Sequence, residues 1–375
     1  MTNSHAQISD VAFFVQKPKR RLNVKRISVT NAKRIKAGQM SGTTTFYQQT
    51  YEEQVAAMRG LAEEAAGVWD FTLQDLRLIA YTNNAVFRAQ TPDGNYAIRV
   101  HRPGYRPPQW IASAQTWMNW LAAGGVRVPH PVGDIYGGAL RGMEGAVYCT
   151  ATTWLEGETR PLDALSIADI ERIGEQIARL HDISAQFTPD ADFIRPRLDW
   201  RGLFGAGGMY DPGAGRAHFD ALAVALMERA TERIAVTMDA LGESAEAFGL
   251  IHGDLIAKNL IFSERDDGVG IVDFDECAYG YYLYDLTPII WLARTTSRAQ
   301  AIREALWRGY VKARPQAEAQ RPYLDVFVMA RHVASCRWIA GNARHPHLRD
   351  KVGGIIAERM VELKAYLART DAPQS

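Results

Sequence analysis

An aspartate, an asparagine and a second aspartate lie along one short part of this chain at a spacing that suits phosphoryl transfer from a metal-bound nucleotide. Ile251-His252-Gly253-Asp254-Leu255-Ile256-Ala257-Lys258-Asn259-Leu260-Ile261-Phe262 is followed by Ile271-Val272-Asp273-Phe274-Asp275. That reaction needs a carboxylate to orient and deprotonate the attacking hydroxyl, and two oxygen ligands to hold magnesium on the triphosphate. His-x-Asp-x4-Asn supplies the first two, and Asp273 is available for the third. Alone, each residue reads as a turn, a cap or a surface ion pair; together, between apolar strands, they favour chemistry.

The elements that must position these groups follow from periodicity. Leu260 to Phe262 and Val269 to Val272 predict two short strands joined by a turn at Glu264 to Gly268, delivering Asp273 beside Asp254 and Asn259. Upstream, Val55, Met58, Leu61, Ala62 and Ala65 give an amphipathic helix over Tyr51 to Trp69. Leu76 to Tyr81, Ala85 to Gln90 and Tyr96 to Val100 read as strands, with Thr91-Pro92-Asp93-Gly94-Asn95 as a hairpin turn. His101 to Pro108 is too proline-rich for a strand, so it reads as a loop with solvated basic residues, leading into a helix over Gln109 to Ala123. Val126 to Val132 and Ala146 to Thr153 are expected to complete the sheet.

Further on, Ser166 caps a core helix over Ile167 to His181, in which His181 is expected to be structural. Gly202 to Gly215 is too glycine-rich for regular structure, and no strand precedes it as a phosphate loop requires. A long helix over about Ala217 to Leu241 precedes the Asp254 loop, and Pro322 to Ala340 and Val352 to Leu367 are helical by spacing. His345-Pro346-His347 reads as a surface turn.

With these motifs in place the chain resembles the aminoglycoside phosphotransferase and choline kinase family, a branch of the protein-kinase-like fold that includes bacterial homoserine and stress-response kinases. The resemblance runs from about Phe71 to about Ala343. Besides the Asp254 loop it rests on the segments Tyr96 to Tyr105, Thr153-Trp154-Leu155-Glu156-Gly157, Arg195-Pro196-Arg197-Leu198-Asp199-Trp200 and Asp275 to Gly280. It implies Asp254 as catalytic base, Asn259 and Asp273 as magnesium ligands, and Arg99 as the cation on the α- and β-phosphates. It also implies that Thr82-Asn83-Asn84 covers the phosphates and that the segment around Trp154 is the hinge that meets adenine; on the residues alone, Asn83 and Asn84 make a hairpin turn, and Trp154 fits the core and a ligand contact equally.

Two departures from the family pattern bear on activity. Ile256, Ala257 and Lys258 replace the usual polar residue and glycine before the asparagine, so Lys258 is a candidate point charge for the transferring phosphate. In the small-lobe helix Ala114 stands where the family carries a glutamate that pairs with the phosphate cation. Asp275, Glu276, Tyr279, Tyr282 and Asp285 follow the second aspartate and are candidates to recognise the acceptor; Asp285 is also placed to brace His252, and packing beneath the loop is the competing role for the tyrosines.

Composition sets the outer bounds. With 375 residues, 47% apolar, the chain can bury two cores, and no run approaches the roughly 20 apolar residues that a membrane helix needs. Cys149, Cys277 and Cys336 are odd in number and unpaired in spacing, which points to a reducing cytoplasm; Cys277 reads as a small buried residue. Nine Lys or Arg precede residue 40 against Asp10 alone, so that segment reads as a basic tail without a specific nucleic-acid partner, or as a start assigned upstream of Met40.

The expected fold is α+β and two-lobed: residues 1–40 as tail, 41–155 as an antiparallel-sheet nucleotide lobe, and 156–375 as a mostly helical catalytic and substrate lobe. The expected activity is ATP- and Mg²⁺-dependent phosphoryl transfer to a small-molecule hydroxyl. A serine/threonine protein kinase of the stress-response type and a non-catalytic nucleotide-binding pseudokinase remain as alternatives. The oligomeric state is left open.

Overall fold

Thr50 opens the first helix by accepting from the Glu53 N–H while Glu53 reaches back to the Thr50 N–H, a reciprocal cap that satisfies two donors at the helix start. The computed structural model to which this helix belongs describes residues 45–82, 84–263, 268–343, 348 and 350–371. The basic segment, Met40, Asn83, most of the turn after Phe262 and His345 to His347 lie outside the described residues.

The helix, α1 (Tyr51–Val68), packs on an antiparallel sheet of β1 (Asp75–Tyr81), β2 (Ala85–Thr91), β3 (Gly94–Val100), β4 (Pro131–Gly138) and β5 (Val147–Thr153), ordered β1-β2-β3-β5-β4, with α2 (Pro108–Ala123) between β3 and β4. Phe46, Met58, Leu61, Phe87, Ile98 and Cys149 form the core between α1 and the sheet. The expected strand over Val126 to Val132 is corrected: β4 begins at Pro131. Gly124 and Gly125 end α2, the Val126 N–H returns to the Leu121 carbonyl, and Val126 and Val128 are buried in the larger core, so this stretch connects the two cores.

The larger core is built from α3 (Ile167–Ala185), β6 (Arg197–Leu198), α4 (Trp200–Phe204), α5 (Ala221–Leu241), β7 (Phe248–Ile251), β8 (Leu260–Phe262), β9 (Val269–Ile271), β10 (Ala278–Tyr281), α6 (Tyr282–Ala293), α7 (Ala299–Ala313), α8 (Leu324–Gly341) and α9 (Val352–Asp371). Strands β8 and β9 form the expected hairpin, and β6, β10 and β7 form a three-stranded sheet. After the end of α4 the glycine-rich segment holds only turns, as its composition implies, and is tethered from outside. Asp199 caps α4 through the Gly202 N–H at 2.7 Å, and Arg337 of α8 donates to the carbonyls of Phe204 and Tyr210. The long helix starts at Ala221, later than its periodicity suggests, because Asp220 caps it through the Ala223 N–H. Among the described residues no helix is long and apolar enough to cross a membrane.

Candidate active site

The loop after β7 turns sharply at Gly253, whose φ of +83° lies where side chains are strained; a Cβ there would stand 2.6 Å from the Glu276 carbonyl oxygen. The loop rests on Asp285 of α6. One carboxylate oxygen accepts the His252 N–H at 2.8 Å and the other the Gly253 N–H at 2.7 Å. His181 of α3 completes this foundation, with Nε2 3.1 Å from Asp285 and Nδ1 3.0 Å from the Tyr310 hydroxyl. Burial lowers the His181 pKa although Asp285 opposes it, so the ring sits neutral between a carboxylate acceptor and a hydroxyl donor.

Asp285, 0% exposed, is therefore the brace of the loop, which corrects its placement among acceptor-contacting residues. Tyr282 is corrected in the same way: at 1% exposure it packs against His181, with the Arg314 guanidinium over its ring. Tyr281 and Tyr284 are also buried. Apolar α6 must turn these residues inward to seal the large core, a demand that outweighs their aromatic and polar character.

The three residues of the opening motif come together through main-chain bonds. His252 donates from Nε2 to the Val272 carbonyl at 3.0 Å, and the Val272 N–H donates to the Asn259 carbonyl at 3.0 Å. Asn259 Nδ2 donates to the Asp254 carbonyl at 2.8 Å, so Oδ1 is the amide atom left to ligate. Asp273 follows with φ 70° and ψ 65°, a left-handed conformation that is uncommon for a residue other than glycine and is found at sites under functional constraint. No group of three or more His, Cys, Asp or Glu forms a metal cage among the described residues. Asn259 and Asp273 instead offer two oxygens, a donor set that fits magnesium, which retains water and binds phosphate oxygens alongside few protein ligands.

Arg99 projects from β3 onto this loop. Its Nη1 lies 2.8 Å from Asp273 Oδ1 and 3.0 Å from Asp275 Oδ2. Burial opposes the guanidinium charge, but Asp273 and Asp275 outweigh it and hold the pKa above its ordinary value. Asp275 is a hub: burial raises its pKa, yet Arg99, then His101 and Arg106, bring it well below the usual carboxylate range. Its Oδ2 also accepts from Asn84 Nδ2, and Asn84 Oδ1 accepts the Arg102 N–H at 2.9 Å. The Asn84 side chain thus joins the β1–β2 loop to Asp275. His101 is buried, bonded through Nε2 to Thr150 at 3.0 Å, and burial lowers it to about 4.

Other expectations fall out as follows. Arg106 was expected to be solvated and is instead half-buried, donating to Glu276 at 2.7 Å with its guanidinium over the Tyr105 and Trp110 rings. Glu276 Oε2 is buried without a hydrogen-bond partner among the described residues. Tyr279 is half-buried, edge-on to Phe193. Lys258 is exposed. The Arg88 guanidinium stacks on Trp154, whose N–H donates to the Asn95 carbonyl at 3.0 Å. Cys277 is buried, and burial pushes its thiol up to about 11, so it is not a ready thiolate.

Arg331 of α8 is the residue missed from sequence. Its Nη2 lies 2.6 Å from Asp254 Oδ1. Burial works against its charge, but Asp254 more than compensates. The available signal was an arginine within the apolar run Val328-Met329-Ala330-Arg331-His332-Val333-Ala334, where an ionised side chain needs a partner.

This geometry agrees with likenesses of three kinds, to a family, to relatives in sequence and to a solved fold. A model of the phosphotransferase enzyme family matches residues 75–320. An uncharacterised protein of Deinococcus radiodurans is 30% identical over 294 residues, 76% of this chain and 82% of that protein, and a homoserine kinase of Gluconobacter oxydans is 25% identical over 255 residues, 64% and 73% of the two chains. In fold, the chain is similar to a microcompartment-associated aminopropanol kinase, with a TM-score of 0.72 at 23% identity over 83% of this chain and 98% of that one.

Proposed function

The chain belongs to the phosphotransferase enzyme family, and from that membership we propose that it transfers the γ-phosphate of ATP to a hydroxyl of a small-molecule acceptor. The observation that carries this reading is the junction of Asp254, Asn259 and Asp273 through the two bonds to Val272. Asp254 orients the acceptor hydroxyl and takes its proton. With Oδ1 given to Arg331, Oδ2, which takes only a long 3.4 Å bond from Asn259 Nδ2, is the oxygen it offers. Asn259 Oδ1 and the Asp273 carboxylate hold magnesium, which when bound neutralises charge on the β- and γ-phosphates. Arg99 meets the phosphates from β3 with Asn84 beside it, and Lys258 offers an exposed positive charge.

One feature favours a second reading, a nucleotide-binding module without turnover: Ala114 gives α2 no carboxylate at the position where the resemblance expects a glutamate. Labelled ATP separates the two. The protein is incubated with γ-labelled ATP, magnesium and a pooled metabolite extract beside Asp254→Asn. Label entering a small molecule only with the unsubstituted protein supports the transferase, with Asp254→Asn lowering transfer by at least about a hundredfold while nucleotide still binds. Label on a polypeptide identifies a protein kinase, and label retained on ATP despite binding supports the module.

A further inference from the structure

We propose that Asp275 is the positioning residue for Arg99 and for Asn84, so that one carboxylate of the large core aligns both side chains that meet the nucleotide phosphates. The inference rests on the nucleotide reading above. Arg99 bonds two carboxylates, Asp273 at 2.8 Å and Asp275 at 3.0 Å. On that reading Asp273 would share its charge with magnesium, which would leave Asp275 as the anion given over to Arg99. A long cation with no anchored anion loses its preorientation, and the phosphates must then order it themselves.

The helix packed behind this loop supplies no substitute, because α2 contains neither Asp nor Glu along its whole length. Asp275 can fill the role because its own backbone is fixed. Its carbonyl accepts from Arg195 Nη2 at 2.8 Å, and the same buried guanidinium donates to the carbonyls of Cys277 at 2.5 Å and Trp110 at 2.8 Å. Arg195 thereby ties the Asp275 loop to the start of α2. From this anchored position the Asp275 side chain reaches Arg99 on one side and Asn84 on the other. Asp275 was expected among the acceptor-contacting residues; its bonds face the small sheet instead.

The test is a double-mutant cycle read by calorimetric binding of magnesium ATP and, separately, of adenosine, which has no phosphates for Arg99 to hold. Asp275→Asn removes the anion with little change of shape. It is expected to weaken ATP binding about ten- to a hundredfold, the range of a hydrogen bond to a charged group, and to leave adenosine affinity within about twofold. The Arg99→Met/Asp275→Asn double variant is expected to bind ATP at most about three- to tenfold more weakly than Arg99→Met alone, the share that runs through Asn84, because the rest of the effect acts through Arg99. Unchanged ATP affinity in Asp275→Asn, fully multiplied losses in the double variant, or equal losses of ATP and adenosine would each overturn the assignment. If the unsubstituted protein binds no ATP, the nucleotide reading fails first and this inference falls with it. Should Asp275→Asn not fold, Asn84→Ala carries the test: a loss of about three- to tenfold for ATP alone supports the clamp, and no loss rejects it.

Discussion

Asp285 and Asp275 are carboxylates from the same stretch of chain after β9, and they are held in opposite ways. Asp285 is wholly buried and accepts from two main-chain N–H groups and a neutral histidine, all within the large core. Asp275, with 16% of its side chain exposed, accepts from Arg99 and Asn84 of the small sheet. The first arrangement fixes the Asp254 loop before any ligand arrives, since backbone donors cannot change partner without unfolding the turn. The second joins two cores through side chains alone, so on the proposed function its bonds can be redistributed when phosphate charge arrives, without unfolding any backbone. A rigid loop beneath the proposed base and an adjustable edge beside the proposed phosphates suit a site that must align one group closely and accommodate a multiply charged partner.

Breaking the rigid half should have the largest effect on stability. Asp285→Ala leaves two buried N–H groups and His181 without their acceptor, and is expected to destabilise the fold by about 3–5 kcal/mol in urea unfolding. A cost below about 1 kcal/mol would show that the loop stands without this brace.

Acid is expected to act next, and on the large core. His332 of α8 accepts from Trp291 at 3.1 Å and lies 2.9 Å from the Arg359 carbonyl, and burial pushes it down to about 4, outweighing nearby Glu362. Its unfolded value near 6.5 is higher, so the unfolded chain takes up the proton first. The stabilising contribution is complete above about pH 6.5 and is lost as pH falls toward 4, by up to about 3 kcal/mol. Unfolding midpoints measured across that window should fall with pH, and His332→Gln should flatten the slope.

The smallest expected change sharpens the contrast from the other side. Arg99→Met should cost only about 1–2 kcal/mol in unfolding, because Asp273, 35% exposed, and Asp275 can recover solvent, while nucleotide binding suffers far more. If Arg99→Met destabilised the protein as much as Asp285→Ala, the two halves would not differ in rigidity.

Local signals were legible in both halves. The helix begun at Ser166, the hairpin of β8 and β9 and strands β1, β2, β3 and β5 of the small sheet were readable, because caps, turns and periodicity are local. The misreading at Val126 to Val132 has a tertiary cause: an apolar stretch extends without joining a sheet because it is needed to bridge two cores. Gly202 to Gly215 holds only the end of α4 and turns, as its glycines imply, with Asp199 and Arg337 fixing it from outside. Among the site residues, Asp285 was seen both as a brace and as an acceptor contact, and only burial decides between them.

The sequence by itself determined which groups are present and which lie close along the chain: Asp254 and Asn259 on one loop, Asp273 at the end of a hairpin, and the helices and strands that carry them. Tertiary structure decided the partners. Arg331 meets Asp254 across 77 residues, Arg99 meets Asp273 across 174, and Asn84 meets Asp275 across 191. With 43 cationic and 42 acidic side chains in the sequence, charge alone leaves many pairings open. Chain distance says nothing about which of them packing will bring within bonding range, and it is packing that withdraws water from a chosen few and so makes those pairings matter.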